Sequence, residues 1–123
     1  RENPVVSAAR ANGSYEDYCS RNVVKVVCDR DGRALYFSRA PIPYSEKENF
    51  AGFFQHIGIY GYTKEMLGMF IGSGACELER REKLEQLRFL FLGQKVHVIA
   101  TDFVSHGVDV PDDVAKIEKL LRG

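Results

Sequence analysis

The chain has 123 residues, 45% of them hydrophobic, which is enough for one domain with a real core. Lys plus Arg and Asp plus Glu both number 17, so the formal net charge is +0. That balance argues against a general nucleic-acid or anionic-membrane binder, which needs a basic excess. No apolar run approaches the ~18 residues of a membrane span, and no stretch reads as a signal peptide. Cys19, Cys28 and Cys76 are odd in number and form no C-x-x-C pair, which points to reduced thiols in a cytosolic protein rather than a zinc site. The chain begins at Arg1 and runs through RENPVV straight into strand-like sequence, so we expect it to be cut from something longer.

In chain order, Asn3-Pro4 is a turn signal and residues 5–9 read as a short strand. Residues 11–21, ANGSYEDYCSR, are polar and rich in turn formers, and read as a loop. Residues 23–28 are a β-branched run broken by Lys25. Residues 29–33, DRDGR, have turn chemistry, with Gly32 free to take positive φ, and residues 35–39, LYFSR, complete a hairpin. Lys25 inside an apolar strand is either an edge-strand charge that blocks aggregation or a ligand contact. Pro41 and Pro43 end the hairpin, and residues 44–51 form a polar loop.

Residues 53–62, FFQHIGIYGY, read as the central strand. At period 2, His56, Gly58, Tyr60 and Tyr62 point one way, while Gln55, Ile57, Ile59 and Gly61 point the other. The Ile face suits a core. On the opposite face an imidazole and two phenols flank the gap left by Gly58, a wall suited either to a polyhydroxylated ligand or to half-buried sheet residues with satisfied hydrogen bonds. Thr63 caps a helix through Leu67 and Phe70, broken by Gly72, Ser73 and Gly74. Residues 77–92 carry the strongest helical signal, with Leu84, Leu87 and Phe91 as apolar stripe, Glu79 and Lys83 as an i,i+4 pair, and Gly93 as the stop. Residues 96–101 are apolar on both faces and read as a central strand, and residues 111–121 as a helix. Strands followed by helices, with a late buried strand, predict an α/β layer fold with a mixed sheet and flanking helices.

Two constellations could carry chemistry. On the long helix, Glu79, Glu82 and Gln86 share a face, with Glu85 adjoining; such a set grips sugar hydroxyls or is a solvated helix face. Asp109, in GVDVPDD before a helix start, could ligate Mg2+ or cap the helix. Arg39, just past LYFSR, could hold an anion at a sheet edge or be solvated. His97 reads as a core histidine, and His106 has no obvious partner. Neither a phosphate-cradling glycine loop nor a G-x-S-x-G elbow is present.

The order LYFSRAPIP, HIGIYGY, LEQLR, GQKVHV, GVDVPDD resembles the C-terminal half of the 3-deoxy-manno-octulosonate (KDO) cytidylyltransferases, the CMP-KDO synthetases, from about Val23 onward and more weakly from Asn3. The acylneuraminate cytidylyltransferases are more distant relatives. The resemblance implies an α/β/α sandwich of the nucleotide-diphospho-sugar transferase type, of which residues 1–123 would be the sugar-binding and dimerisation half. It implies CTP and KDO as substrates, CMP-KDO and pyrophosphate as products for lipopolysaccharide synthesis, Mg2+ as cofactor, a cytoplasmic location, a homodimer, and no nucleic-acid or membrane partner.

By the same resemblance His56, Tyr60, Glu85 and Gln86 line the KDO pocket, Arg39 helps hold the sugar acid, and Asp109 is one of two magnesium aspartates and catalytic. The family's phosphate loop and its other magnesium aspartate have no counterpart among these residues, so the chain alone is expected to be inactive. A non-catalytic acidic-sugar-binding or dimerisation module is the alternative. Two departures from the family pattern are Val110, where Thr is usual, and Ala75-Cys76-Glu77 in place of a Pro-Ser-Pro-like entry, a poorer helix start.

Overall fold

The structure is a computed structural model that describes residues 5–101. Asp109, His106, Val110 and the expected helix at 111–121 lie outside the described residues. Five strands, β1 (Val5–Asn12), β2 (Lys25–Cys28), β3 (Ala34–Ser38), β4 (Phe53–Tyr62) and β5 (Val96–Ala100), form one mixed sheet in the order β3-β2-β4-β1-β5. β4 is its centre, antiparallel to both β1 and β2, while β5 runs parallel to β1. The expected mixed sheet with flanking helices is therefore what forms.

The β2–β3 hairpin is as the turn chemistry predicts. Asp29 Oδ1 accepts from the backbone N–H groups of Asp31 (2.8 Å) and Arg33 (3.0 Å), and Gly32 takes φ +83°. This turn reaches across to β5: Val98 N donates to Gly32 O at 2.8 Å, and Arg33 bridges His97. A Cβ on Gly32 would stand 3.4 Å from His97 Cε1. β5 was expected at the centre of the sheet but ends the described order. Its far edge is covered by this turn, which explains why it is apolar without two strand neighbours.

Other expectations need correction. β1 runs to Asn12, and the expected loop contains a short helix, α1 (Tyr15–Cys19), where Ser14 Oγ accepts from Asp17 N at 3.1 Å. The Ser14-x-x-Asp17 spacing was the available signal. Lys25 is fully buried in β2, between β3 and β4, so it is no edge charge. Its Nζ donates to Ser20 O (2.5 Å) and Arg39 O (2.8 Å), which is how an interior ammonium is tolerated.

Helix α2 (Lys64–Ser73) starts as read, with Thr63 Oγ1 accepting from Met66 N at 3.2 Å, but it continues through Gly72 and Ser73 and stops at Gly74, φ +73°. The single helix expected over 77–92 is two, α3 (Glu77–Glu82) and α4 (Leu87–Phe91), separated at Lys83, which takes the left-handed conformation (φ 59°, ψ 45°). Glu79 pairs not with Lys83 but with Arg88, whose Nε and Nη2 each donate to its carboxylate at 2.7 Å. On a straight helix residues 79 and 88 would stand about 13 Å apart along the axis and on opposite faces. The bend at Lys83 brings them together. It also explains why Leu84 and Leu87 are buried while Phe91, the third member of the predicted stripe, is exposed. The entry to α3 is sound despite its sequence, because Cys76 N donates to Glu79 Oε1 at 3.1 Å.

The main core is Val5, Ala9, Val26, Ala34, Phe37, Met66, Leu84, Leu87, Phe89, Val96 and Val98. Ala9 is the register partner of His56 and Val5 that of Tyr62, so this core lies on the His56 face of β4. The expectation that the Ile face carries the core is thus corrected. Period 2 says which residues share a face, not which face the helices will cover. Ile57 is also buried, and Phe53 on the same side packs with Tyr18 of α1.

Candidate functional site

β4, α2 and the link between α3 and α4 enclose an open cavity of about 310 Å³, lined by Tyr60, Tyr62, Leu67, Phe70, Ile71, Lys83, Leu84, Glu85, Gln86 and Phe89. Four residues singled out from the sequence, Tyr60, Tyr62, Glu85 and Gln86, meet here. Gln86 is only 6% exposed, yet its amide has no hydrogen-bond partner among the described residues. The bend at Lys83 is what places it: after α3 ends, residues 83–86 turn over the cavity and α4 begins at Leu87. Burial, and then the charge of Glu85, raise the pKa of the Tyr60 phenol, so at neutral pH it is a proton donor.

His56 stands beside the cavity without lining it, its ring centroid 5.5 Å from that of Tyr60 and 4.9 Å from that of Phe37. The β1–β4 register shifts between Ser7 and Ala8, which pair with Tyr60 and Ile57, so Gly58 and Ile59 bulge out of the ladder. A Cβ on Gly58 would meet nothing within 4 Å, so the space expected there is open. The bulge frees Ile59 O to accept from Ser7 Oγ at 2.8 Å, and the same Oγ lies 2.8 Å from His56 Nε2. A serine hydroxyl has one proton; with that proton given to Ile59 O, His56 Nε2–H donates to Ser7, and Nδ1 keeps its lone pair. Burial lowers the His56 pKa to about 4, so the ring is neutral at neutral pH.

The other predicted groups are elsewhere. Glu79 is committed to Arg88 and to Cys76 N. Glu82 accepts from Tyr36 Oη (3.2 Å), Ser38 Oγ (2.8 Å) and Arg39 N (3.0 Å). The shared face of Glu79, Glu82 and Gln86 therefore does not exist, because it required an unbroken helix. Arg39 does not line the cavity; its guanidinium donates to backbone carbonyls of Glu82 (2.8 Å), Arg21 (3.1 Å) and Lys83 (3.2 Å). Among the described residues no cluster of three or more His, Cys, Asp or Glu could hold a metal ion. Sequence reasoning missed Lys83 and the apolar wall of Leu67, Phe70, Ile71 and Phe89. Helical spacing in α2 carried part of that signal, whereas Lys83 reaches the cavity only through its left-handed turn.

A family model described as cytidylyltransferase matches residues 1–97. The 3-deoxy-manno-octulosonate cytidylyltransferase of Syntrophotalea carbinolica is 49% identical over 119 residues, covering 89% of this chain and 48% of that protein. That of Marinomonas sp. is 43% identical over 135 residues, covering 98% of this chain and 51% of that protein. A structure of CMP:2-keto-3-deoxy-manno-octonic acid synthetase complexed with CTP matches with a TM-score of 0.77 and 33% identity, over 97% of this chain and 49% of that one. The chain spans about half the length of the curated relatives it matches.

Proposed function

This chain belongs to the 3-deoxy-manno-octulosonate cytidylyltransferase family, and from that premise we propose that it supplies the acidic-sugar side of a reaction joining CTP and KDO into CMP-KDO with release of pyrophosphate. The observation that carries this reading is the Gln86 side chain, set in the cavity wall with its amide open to the cavity and no partner among the described residues. The amide atoms keep contact with solvent through the cavity, so an oxygen that accepts and two N–H groups that donate are free to bond what enters it. A ligand dense in hydroxyls can bond both kinds of group at once.

In this reading the Gln86 amide both gives and takes hydrogen bonds, Tyr60 Oη gives one, and Glu85 accepts from a hydroxyl. His56 Nδ1 is the acceptor at the Gly58 gap. These groups orient the sugar so that its anomeric hydroxyl faces the α-phosphate of CTP; bond formation there expels pyrophosphate. Holding two reactants in line is a large part of catalysis in phosphoryl-type transfers. Magnesium, with Asp109 as one of its ligands, would offset phosphate charge when bound; it belongs to the proposal, as do the homodimer, the cytoplasmic location and the role in lipopolysaccharide synthesis. No helix of the described residues is long and apolar enough to cross a membrane.

The test is magnesium-dependent pyrophosphate release from CTP and KDO. The complete gene product is expected to give it, and the 123-residue chain alone is not, since the phosphate loop is missing from these residues. A complete product that binds KDO without turnover would instead favour a non-catalytic sugar module. Light scattering checks the dimer: a clean monomer at high concentration would count against it.

A further inference from the structure

The end of β3 and the end of α3 are laced together in both directions. Glu82 takes three hydrogen bonds from β3 and its end: Tyr36 Oη and Ser38 Oγ on one carboxylate oxygen and Arg39 N on the other. Arg39 answers by donating Nε to Glu82 O at 2.8 Å and Nη2 to Lys83 O at 3.2 Å. Its own carbonyl is held at 2.8 Å by the buried Lys25 ammonium. The carbonyls of residues 82 and 83 are among those that a helix end leaves without intrahelical partners. They flank the one non-glycine residue with positive φ among the described residues, Lys83. A left-handed lysine persists only where its surroundings over-determine it. The residues that follow this turn, Glu85 and Gln86, line the cavity.

We propose that Arg39 and Glu82 are positioning residues that lock the left-handed turn at Lys83 and so hold Glu85 and Gln86 opposite Tyr60. Arg39 then acts on the sugar through the link, not by touching it. This inference rests on the reading of the cavity as the KDO wall.

Steady-state kinetics of the complete gene product test it, with Arg39→Gln, Glu82→Ala and Glu82→Gln made alone and Arg39→Gln also made in a Glu85→Ala/Gln86→Ala background. Arg39→Gln is expected to raise KM for KDO about tenfold and leave KM for CTP within about twofold. Glu82→Gln keeps the geometry, since its amide can accept from Arg39 N and donate to the Ser38 hydroxyl, and should restore most of what Glu82→Ala loses. In the double-alanine background Arg39→Gln should add nothing. If it adds its full factor there, Arg39 contacts the sugar itself and the inference is overturned. An unchanged KM for KDO in Arg39→Gln alone overturns it as well, while the cavity reading stands. If the double-alanine protein itself keeps its KM for KDO, the cavity reading falls and takes this inference with it. Thermal melting accompanies each variant; should Glu82→Ala fail to fold, the half-exposed Arg39 decides the question.

Discussion

Glu79 and Gln86 are buried to nearly the same degree, 7% and 6% exposed, two helical turns apart in sequence. Glu79 spends its carboxylate wholly within the protein, on Arg88 and Cys76 N. The Gln86 amide spends nothing on the described residues and faces a cavity. The difference teaches that burial does not separate a structural polar group from a ligand-binding one; the state of its hydrogen bonds does. The same contrast divides α3, whose carboxylates are ties, from the link after it, whose polar groups are left over.

The largest expected effect lies on the structural side. Glu79→Ala removes the counter-charge and two hydrogen bonds of the Arg88 guanidinium, whose side chain is 12% exposed and which keeps its Nη1 bond to Phe70 O and its stacking on the Phe70 ring, and should cost ~3–5 kcal/mol, as breaking a buried pair does. Gln86→Ala should leave stability almost unchanged. Urea unfolding of both variants measures this, and equal losses would erase the distinction.

Next comes acid. The His56 pKa is pushed by burial from its ordinary 6.5 to about 4. Between those values the unfolded chain binds a proton that the folded one refuses, so stability falls as pH drops through that window, by up to ~3 kcal/mol. His56→Gln should flatten that part of a stability-versus-pH curve; an unaltered slope would mean that His56 is not what is being titrated.

On the binding side, Gln86→Ala in the complete gene product should lower kcat/KM for KDO by ~10–100-fold, the equivalent of a ~1–3 kcal/mol unpaired group, with the affinity for CTP unchanged. A loss shared equally by both substrates would point to general disruption.

The smallest effect concerns the turn that separates the two regions. Lys83→Gly removes the Cβ strain at φ 59° and should raise stability by no more than ~1 kcal/mol, partly offset by glycine's greater unfolded-chain entropy. A clear loss of stability would show that the Lys83 side chain itself supports the bend.

Local chemistry was legible in the sequence wherever neighbours in the chain decide the outcome. The DRDGR turn, the Thr63 cap and the ten-residue strand around His56 are of this kind, since each depends on groups a few positions apart. So is the family, carried by motifs in a fixed order. Tyr60, Glu85 and Gln86 were likewise visible as candidates. What only the tertiary structure decided is the break at Lys83 and everything downstream of it: an ion pair between residues that a straight helix holds on opposite faces, a carboxylate stripe dispersed into ties, and an amide left facing a cavity. A one-dimensional pattern reports helical periodicity, but whether the helix stays whole depends on partners such as Arg88, Ser38 and Arg39. They reach it from the far side of the bend or from another strand, and no spacing rule contains them.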